Sequence, residues 1–305
     1  MVQIPFWLKA ATLRTSVANN GAALDLTDVG QLAYRQLTVY DMFPKLPVPP
    51  NSNGILRYSD WDQDTSIRAA KAIAEQGTFD QDTAKWTTDT LAMQKVGSII
   101  PMSEEMAYDS ALFAGELQSF IETGVRIKVD GDLINGNGVS PNINGMLNQV
   151  PAFVPVASGI ADANIYDLIV KAREAITKPY GAKYNPNFAL ANITDISKMK
   201  LKKNTQNNYV TPPFYDAAGK SVDGVVVLEC NALVANTMII GDSRYAKIYE
   251  IPGLVVETGM ATGDFENDMM SLKARMRLNL LIRRSDRTGF LKVTSISAAL
   301  TTLAT

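Results

Sequence analysis

The 305-residue chain contains no histidine and one cysteine. Without histidine it lacks the side chain whose ordinary pKa lies nearest neutrality, which removes most nucleophile–base pairs and most zinc sites. A lone Cys230 excludes an internal disulfide framework and fits a reducing compartment. Within Val225-Val226-Val227-Leu228-Glu229-Cys230 it reads as a packed strand residue rather than a nucleophile. No run of about 18 apolar residues occurs, so no spanning helix is expected. Met1 to Lys9 lacks the charged n-region and long apolar core of a signal peptide. With 29 basic against 31 acidic residues, net charge −2, there is no positive excess for gripping nucleic acid through its phosphates. No GxxxxGK[ST] is present, and Gly136-Asn137-Gly138 follows a helical pattern rather than a strand, so nucleotide-binding loops have no support. Paired carboxylates such as Glu104-Glu105 or Asp216/Asp223 read as surface charge. No catalytic residues, cofactor or metal set is expected, and the chain is not read as an enzyme.

What the sequence does contain is length and pattern. A chain of this size would bury roughly 75% of its unfolded surface, enough for one large domain or two lobes. The organising stretch is Phe113, Leu117, Phe120, Gly124, Ile127, Gly131 and Ile134, spaced alternately by four and three as one stripe of a helix. Such a helix would be roughly 30 Å long. Its glycines either admit a closely packed backbone or are merely tolerated. Ser103-Glu104-Glu105 suits a helix start, and Asp109-Ser110 a restart. The helix stops at Asn135-Gly136-Asn137-Gly138, residues that accept positive φ, and a second turn through Gly145 follows.

Around this helix the texture changes by segment. Residues 1–53 read as an arm without a core, either disordered or laid on another surface, with Phe6 and Trp7 favouring the latter. Pro44, Pro47, Pro49 and Pro50 make its end extended and short of ladder donors. Residues 54–100 read as a β-ribbon, out along Ile55–Trp61 and back along Ala84–Ile100, with neither face a clean core face. Asp60, Asp62 and Asp64 match the first half of a calcium loop, but Thr65 stands where the loop needs Gly and Lys71 where it needs Glu. The reading is an acidic ribbon end that meets a basic neighbour.

Beyond Pro151 a compact α/β lobe is expected. Asp162 caps a helix burying Ile165, Leu168, Ile169, Ala172 and Ile176 and ending near Pro179. Phe188–Ala191, Val225–Leu228 and Met238–Asp242 read as strands, and Asn192 or Thr194 caps a short helix between. Lys198, Lys200, Lys202 and Lys203 read as a solvated helix face. Finally, residues 269–284 alternate apolar side chains with Lys273, Arg275, Arg277 and Arg283, a half-buried strand with a basic outer face. The turn Asp286–Gly289 then returns a partner strand from Phe290 to Ile296.

Gly131-Asp132-Leu133-Ile134-Asn135-Gly136-Asn137-Gly138 with Asn144-Gly145-Met146-Leu147-Asn148, and Asp264–Asp268 leading through Arg275-Met276-Arg277 to Arg283–Phe290, resemble motifs of the tailed-phage major capsid proteins of the Hong Kong ninety-seven type. The order of segments resembles that family over nearly the whole chain. The resemblance implies an α+β fold with an N-arm (1–53), an E-loop β-ribbon (54–100), a P-domain with long spine helix and antiparallel sheet (101–149 and 256–305), and a mixed α/β A-domain (150–255).

The implied function is a virion shell protein, assembled in the bacterial cytoplasm as pentamers and hexamers into an icosahedral head enclosing double-stranded DNA. Implied partners are other copies of itself, a scaffolding protein, a portal, a possible decoration protein, and DNA touched weakly without sequence preference; no membrane is involved. Phe6, Trp7, Arg57, Asp60, Asp62, Asp64, Arg68, Lys71, Arg275 and Arg277 are the implied inter-subunit residues. Asn135, Gly136, Asn137, Gly138 and Gly145 form the turn after the spine. Some members carry a long N-terminal scaffolding segment; the ribbon here begins by residue 54, so a separate scaffold or prior removal is implied. Some members form a Lys–Asn isopeptide bond assisted by Glu. The corresponding late positions fall on Asp268 and Met276, which implies a noncovalent shell. An encapsulin-type nanocompartment is the alternative within the fold, and a histidine-free α/β ligand-binding protein the alternative outside it.

Overall fold

The computed structural model describes residues 33–49, 53–62, 66, 68–105, 111–203, 207–209, 212, 215–216 and 220–305. The expectations for Phe6, Trp7, Asp64, the Asp109-Ser110 helix restart and most of the arm lie outside these residues. In chain order the first elements are α1 (Val39–Met42), β1 (Lys45–Pro47), β2 (Ile55–Trp61), β3 (Trp86–Ala92), β4 (Gln94–Ser103) and α2 (Ala111–Asn135). Then come α3 (Met146–Gln149), α4 (Ile165–Tyr180), β5 (Phe188–Ala191), α5 (Ile193–Lys200), β6 (Tyr215–Asp216), β7 (Ser221–Val222) and β8 (Val225–Glu229). The last are β9 (Met238–Gly241), β10 (Ala246–Gly259), β11 (Met269–Ile282), β12 (Phe290–Val293) and α6 (Ile296–Ala304). The chain divides into two compact units. One comprises Met1–Gln36, Lys95–Val129 and Pro252–Arg277, the other Leu37–Gln94, Asp130–Ile251 and Leu278–Thr305.

In the first unit β4 lies beside β11, which lies beside β10. The approach of β4 is close at Gly97, where a Cβ would stand 2.7 Å from the Ala274 carbonyl oxygen. The long helix α2 runs 25 residues, as its length in sequence suggested. The face it buries is not the expected stripe. Leu117 and Ile127 are half-buried, Phe120 is 54% exposed, and nothing lies within 4 Å of where a Gly124 Cβ would stand. Its buried row is Ile121, Val125, Val129 and Leu133, joined at the end by Ile134. These residues step by four, one row over from the expected stripe. Two adjacent apolar rows fit a helical period equally well, and periodicity alone does not choose between them.

In the second unit a six-stranded sheet has the order β12-β9-β5-β8-β7-β6, with β5 parallel to β8 and antiparallel to β9. Helix α4 covers it with Ile165, Leu168, Ile169, Ala172 and Ile176, the face expected from sequence, against Ala189, Ala191, Met238 and Ile240. The cap of α4 is Asn164, not Asp162. Asn164 Oδ1 accepts from the Tyr166 and Asp167 amides at 2.8 and 3.2 Å, while Asp167 reaches back to the Asn164 amide at 2.9 Å. That reciprocal box needs its acidic partner three residues on; Asp162 instead occupies a left-handed turn position, φ 55°. Asn192 caps α5 through the Thr194 amide at 3.0 Å.

Four further expectations, for the ribbon and for the closing segments, are overturned. The return strand of the ribbon is broken at Met93: β3 pairs with β2 from Ile55↔Ala92 to Trp61↔Trp86, whereas β4 leaves for the sheet with β11. The ribbon's faces are also unequal. Leu56, Tyr58 and Leu91 pack on Val48, Met93 and Leu281, and the opposite face is open. The closing hairpin does not form either. Residues Arg284–Gly289 coil into a 3₁₀ turn, and β12 then pairs antiparallel with β9, Phe290 opposite Gly241. A tight hairpin turn would fold the chain back on β11; a full 3₁₀ turn redirects it into the other sheet. The chain ends in α6, capped by Ser295, where a strand to Ile296 was expected.

Residues 37–49 of the arm do not wait for another molecule. Val39, Tyr40, Phe43 and Val48 are all buried, and β1 pairs in parallel with β10, Lys45↔Ile248 to Pro47↔Glu250.

Candidate interaction surfaces

Among the described residues no group of three His, Cys, Asp or Glu side chains is placed to hold a metal ion, and no described helix is long and apolar enough to cross a membrane. Asp60, the start of the calcium-like triplet, is turned inward. It is 5% exposed and accepts the Ser285 amide at 2.9 Å and its neighbour Trp61's amide at 2.9 Å. Burial alone would push its carboxyl up, but these hydrogen bonds outweigh it and hold the group below its ordinary value. It therefore ties the ribbon to the 284–289 turn rather than facing outward. Asp62 pairs with Lys85 at 3.7 Å and Lys71 with Asp80 at 2.7 Å, so both ends of the ribbon's tip are closed by its own charges. Arg57 and Arg68 are exposed.

The ribbon's open face carries its apolar surface at the far end of the ladder. Trp61 and Trp86 face each other with ring centroids 4.6 Å apart and are 49% and 59% exposed. Phe79, beyond them, is 80% exposed. The pair is exposed aromatic surface at the end of the ladder.

The turn after the long helix is built glycine over glycine. A Cβ on Gly136 would lie 2.1 Å from the Ile143 carbonyl oxygen, and one on Gly145 would lie 2.5 Å from the Gly136 amide nitrogen. Gly138 has φ 73°. Asn137 and Asn144 form an isolated antiparallel bridge, and Asn148 Nδ2 donates to the Asn137 carbonyl at 3.2 Å and to Asn144 Oδ1 at 2.7 Å. Asn135 Nδ2 reaches the Ala232 carbonyl at 2.7 Å. Gly136 is thus required by close approach and Gly138 by its backbone angle.

On the outer face of β11 the basic residues are partly neutralised. Glu257 of β10 accepts from Arg275 at 2.5 Å and pairs with Lys273 at 2.9 Å. The hydrogen bond from Lys273, with that from Arg275 behind it, holds the Glu257 carboxyl below its usual range. Arg277 is exposed. Of the lysine cluster, Lys198 pairs with Asp195 at 3.3 Å, Lys202 donates to the Ala163 carbonyl at 3.0 Å, and Lys203 sits 4.8 Å over the Tyr209 ring. The cluster serves the lobe's own loops.

Sequence reasoning missed Asp130 and Asp242, both fully buried. Asp242 accepts the Asn185 and Arg244 amides at 3.1 Å each and is held below its ordinary pKa, because the Arg244 hydrogen bond and the two amides outweigh the burial that would raise it. Asp130 accepts the amides of Thr38, Val39 and Tyr40 on one oxygen, at 3.2, 2.8 and 3.0 Å. A signal for Asp130 existed: it lies three residues after Ile127 and four before Ile134, an acid set into the apolar side of a helix.

A ribbon anchored at one face and bare on the other, a braced long helix and an α/β lobe define a fold seen in solved virus-like shells. The capsid of a native GTA particle superposes with TM-score 0.70 at 16% identity, covering 92% of this chain and 99% of that one. A structure titled Mycobacterium phage Adephagia gives 0.65 at 17%, covering 96% and 98%, and the gp27 major capsid and gp26 decoration proteins of phage G give 0.64 at 9%, covering 90% and 95%. In sequence, the major capsid protein of Enterobacteria phage HK97 is 20% identical over 250 residues, 81% of this chain. The chain spans 62% of that relative's length. The phage capsid family matches residues 27–293, and the chain belongs to that family.

Proposed function

We propose that this chain is the major shell subunit of a tailed-phage head, joining as pentamers and hexamers into a closed icosahedral wall around double-stranded DNA. The observation that carries the reading is the ribbon: its inner face is anchored by Asp60, Leu56 and Tyr58 within the subunit, while Trp61 and Trp86 stand on the other face uncovered. An element that long and one-sided is completed by a neighbouring copy. In this reading residues 1–53 are the N-arm, 54–100 the E-loop ribbon, 150–255 the A-domain, and 101–149 with 256–305 the P-domain. Contacts between subunits are noncovalent, and Arg57, Arg68, Lys71, Arg275 and Arg277 contribute at the rims. Scaffolding protein and portal act during assembly in the bacterial cytoplasm, a decoration protein is a possible later partner, and the near-neutral wall touches the packaged DNA weakly.

The test is particle formation. Purified protein, alone and co-expressed with a candidate scaffolding protein from the same genome, is followed by light scattering and negative-stain microscopy. Closed shells, or rings of five and six, are expected. Monomers under both conditions would overturn the reading.

A further inference from the structure

Asp130 lies on the long helix, fully buried, with three consecutive amides of the arm converging on its Oδ1. Three donors on one carboxylate oxygen, one of them at 2.8 Å, fix a chain more tightly than an ordinary cap, which satisfies one or two. The arm is held on both sides of this point. Before it, Arg35 Nη2 donates to the Ile127 carbonyl at 2.8 Å. After it, Thr38 Oγ1 donates to the Glu229 carbonyl at 3.1 Å, and Phe43 meets the edge of Phe188 at 5.8 Å. Further on, β1 pairs in parallel with β10, and the ladder is flanked by the Ile248 amide donating to the Pro44 carbonyl and the Val48 amide donating to the Glu250 carbonyl, both 3.0 Å.

That last bond contains a register code. Val48 stands between Pro47 and Pro49. Proline has no amide hydrogen. A slip of the arm by one residue in either direction puts a proline opposite the Glu250 carbonyl and forfeits the bond. The prolines on both sides thus add a hydrogen-bond constraint to the register that the buried Val48 side chain already favours.

We propose that Asp130 is a positioning residue that sets the register of the arm. Together with the Val48 amide it makes residues 37–48 a fixed platform, so that the chain preceding them starts from the same register in every subunit and is delivered to the same position on a neighbouring copy. This rests on the shell-subunit reading for its purpose, but not for its test.

The experiment uses the full-length purified subunit. Limited proteolysis with a protease cutting after Lys or Tyr reports on Tyr40 and Lys45, and a thermal melt reports on the lobe. Asp130→Ala should raise the cleavage rate at these residues at least tenfold and leave the lobe's melting within about 2 °C of the parent. Asp130→Asn keeps an acceptor oxygen without the charge and should fall between the two. Val48→Pro, which removes the only amide in the Pro47–Pro49 run, should raise cleavage at Lys45 but not at Tyr40. Unchanged cleavage in Asp130→Ala would overturn the proposal. So would loss of the whole fold in both Asp130 variants, which would make Asp130 a core residue and not a positioning one. A parent protein that never assembles would sink the shell reading and leave these proteolysis results standing.

Discussion

The α/β lobe and the β-ribbon differ in where their stability resides. The lobe closes on itself: Leu168, Ile169, Ala189, Ile240 and their neighbours form one continuous core between α4, the six-stranded sheet and α6. The ribbon has one buried face, of Leu56, Tyr58 and Leu91, and a bare one crowned by the tryptophan pair. Damage to the lobe should therefore cost the subunit, and damage to the ribbon's open face should cost only what the subunit builds. The largest effect is expected at the braced turn after the long helix, which, like the lobe and unlike the ribbon's open face, is packed within the subunit. Gly136→Val places a side chain within 2.1 Å of a backbone oxygen that has no room to retreat. Loss of more than about 3 kcal/mol is expected, seen as insoluble protein or a collapsed melting transition. Gly138→Val, opposed by its φ of 73° and the 2.8 Å contact with Asn144, should be milder. A normal melt for Gly136→Val would remove the case for a rigid turn.

The next comparison sets one core residue against one ribbon residue. Ile169→Ala, at a fully buried site, should cost about 2–5 kcal/mol of unfolding free energy. Trp86→Ala, at a residue 59% exposed, should shift the subunit's melting little yet sharply reduce assembled particles. Equal destabilisation by the two, measured by denaturant titration, would show that the ribbon's outer face is structural after all.

How much of this was legible depends on whether the signal was local. The turn Asn135–Gly138, the lobe helix face from Ile165 to Ile176 and strand Phe188–Ala191 were readable because each is specified by its own residue types. The spine's buried row was not: Ile121-Val125-Val129-Leu133 and Leu117-Phe120-Gly124-Ile127 are both apolar, and only the neighbours decide which is covered. The split of the ribbon's return strand at Met93 and the departure of Phe290–Val293 to β9 depend on partners far away in sequence, about which alternation is silent. Asp60 carried the clearest false lead. Its spacing with Asp62 suggested a shared acidic end, since i and i+2 share a strand face, but β2 ends at Trp61, and what settles Asp60's role is an amide 225 residues away.

That amide gives an effect of intermediate size. Asp60→Ala leaves the Ser285 N–H without its acceptor at a buried position, and about 1–3 kcal/mol is expected from the orphaned donor. Acid should imitate it. Asp60 and Asp242 both lie below their ordinary pKa in the folded chain. Such groups contribute stability that is present above the unfolded carboxylate value, near 4, and that is lost as pH falls through the lower folded value. The melting temperature should therefore be level from neutrality to about pH 5 and fall below about pH 4, and Asp60→Asn should flatten part of that fall. An acid limb identical in Asp60→Asn and the parent would assign the loss to other carboxylates.

The smallest effect sharpens the contrast from the ribbon's side. Glu257 joins Lys273 and Arg275 on an exposed sheet face, where water and salt screen the pairing. Glu257→Gln should leave the subunit's melting unchanged at physiological ionic strength. It does alter what the face presents: three basic side chains, Lys273, Arg275 and Arg277, without the carboxylate that neutralises two of them. If this strip meets another subunit, the variant's assembly should acquire a new salt dependence while its folding acquires none, because repulsion between copies is screened only where copies meet. A melting temperature that dropped and then recovered with added salt would locate the effect inside the subunit instead, and the strip would join the lobe as a region that stabilises only itself.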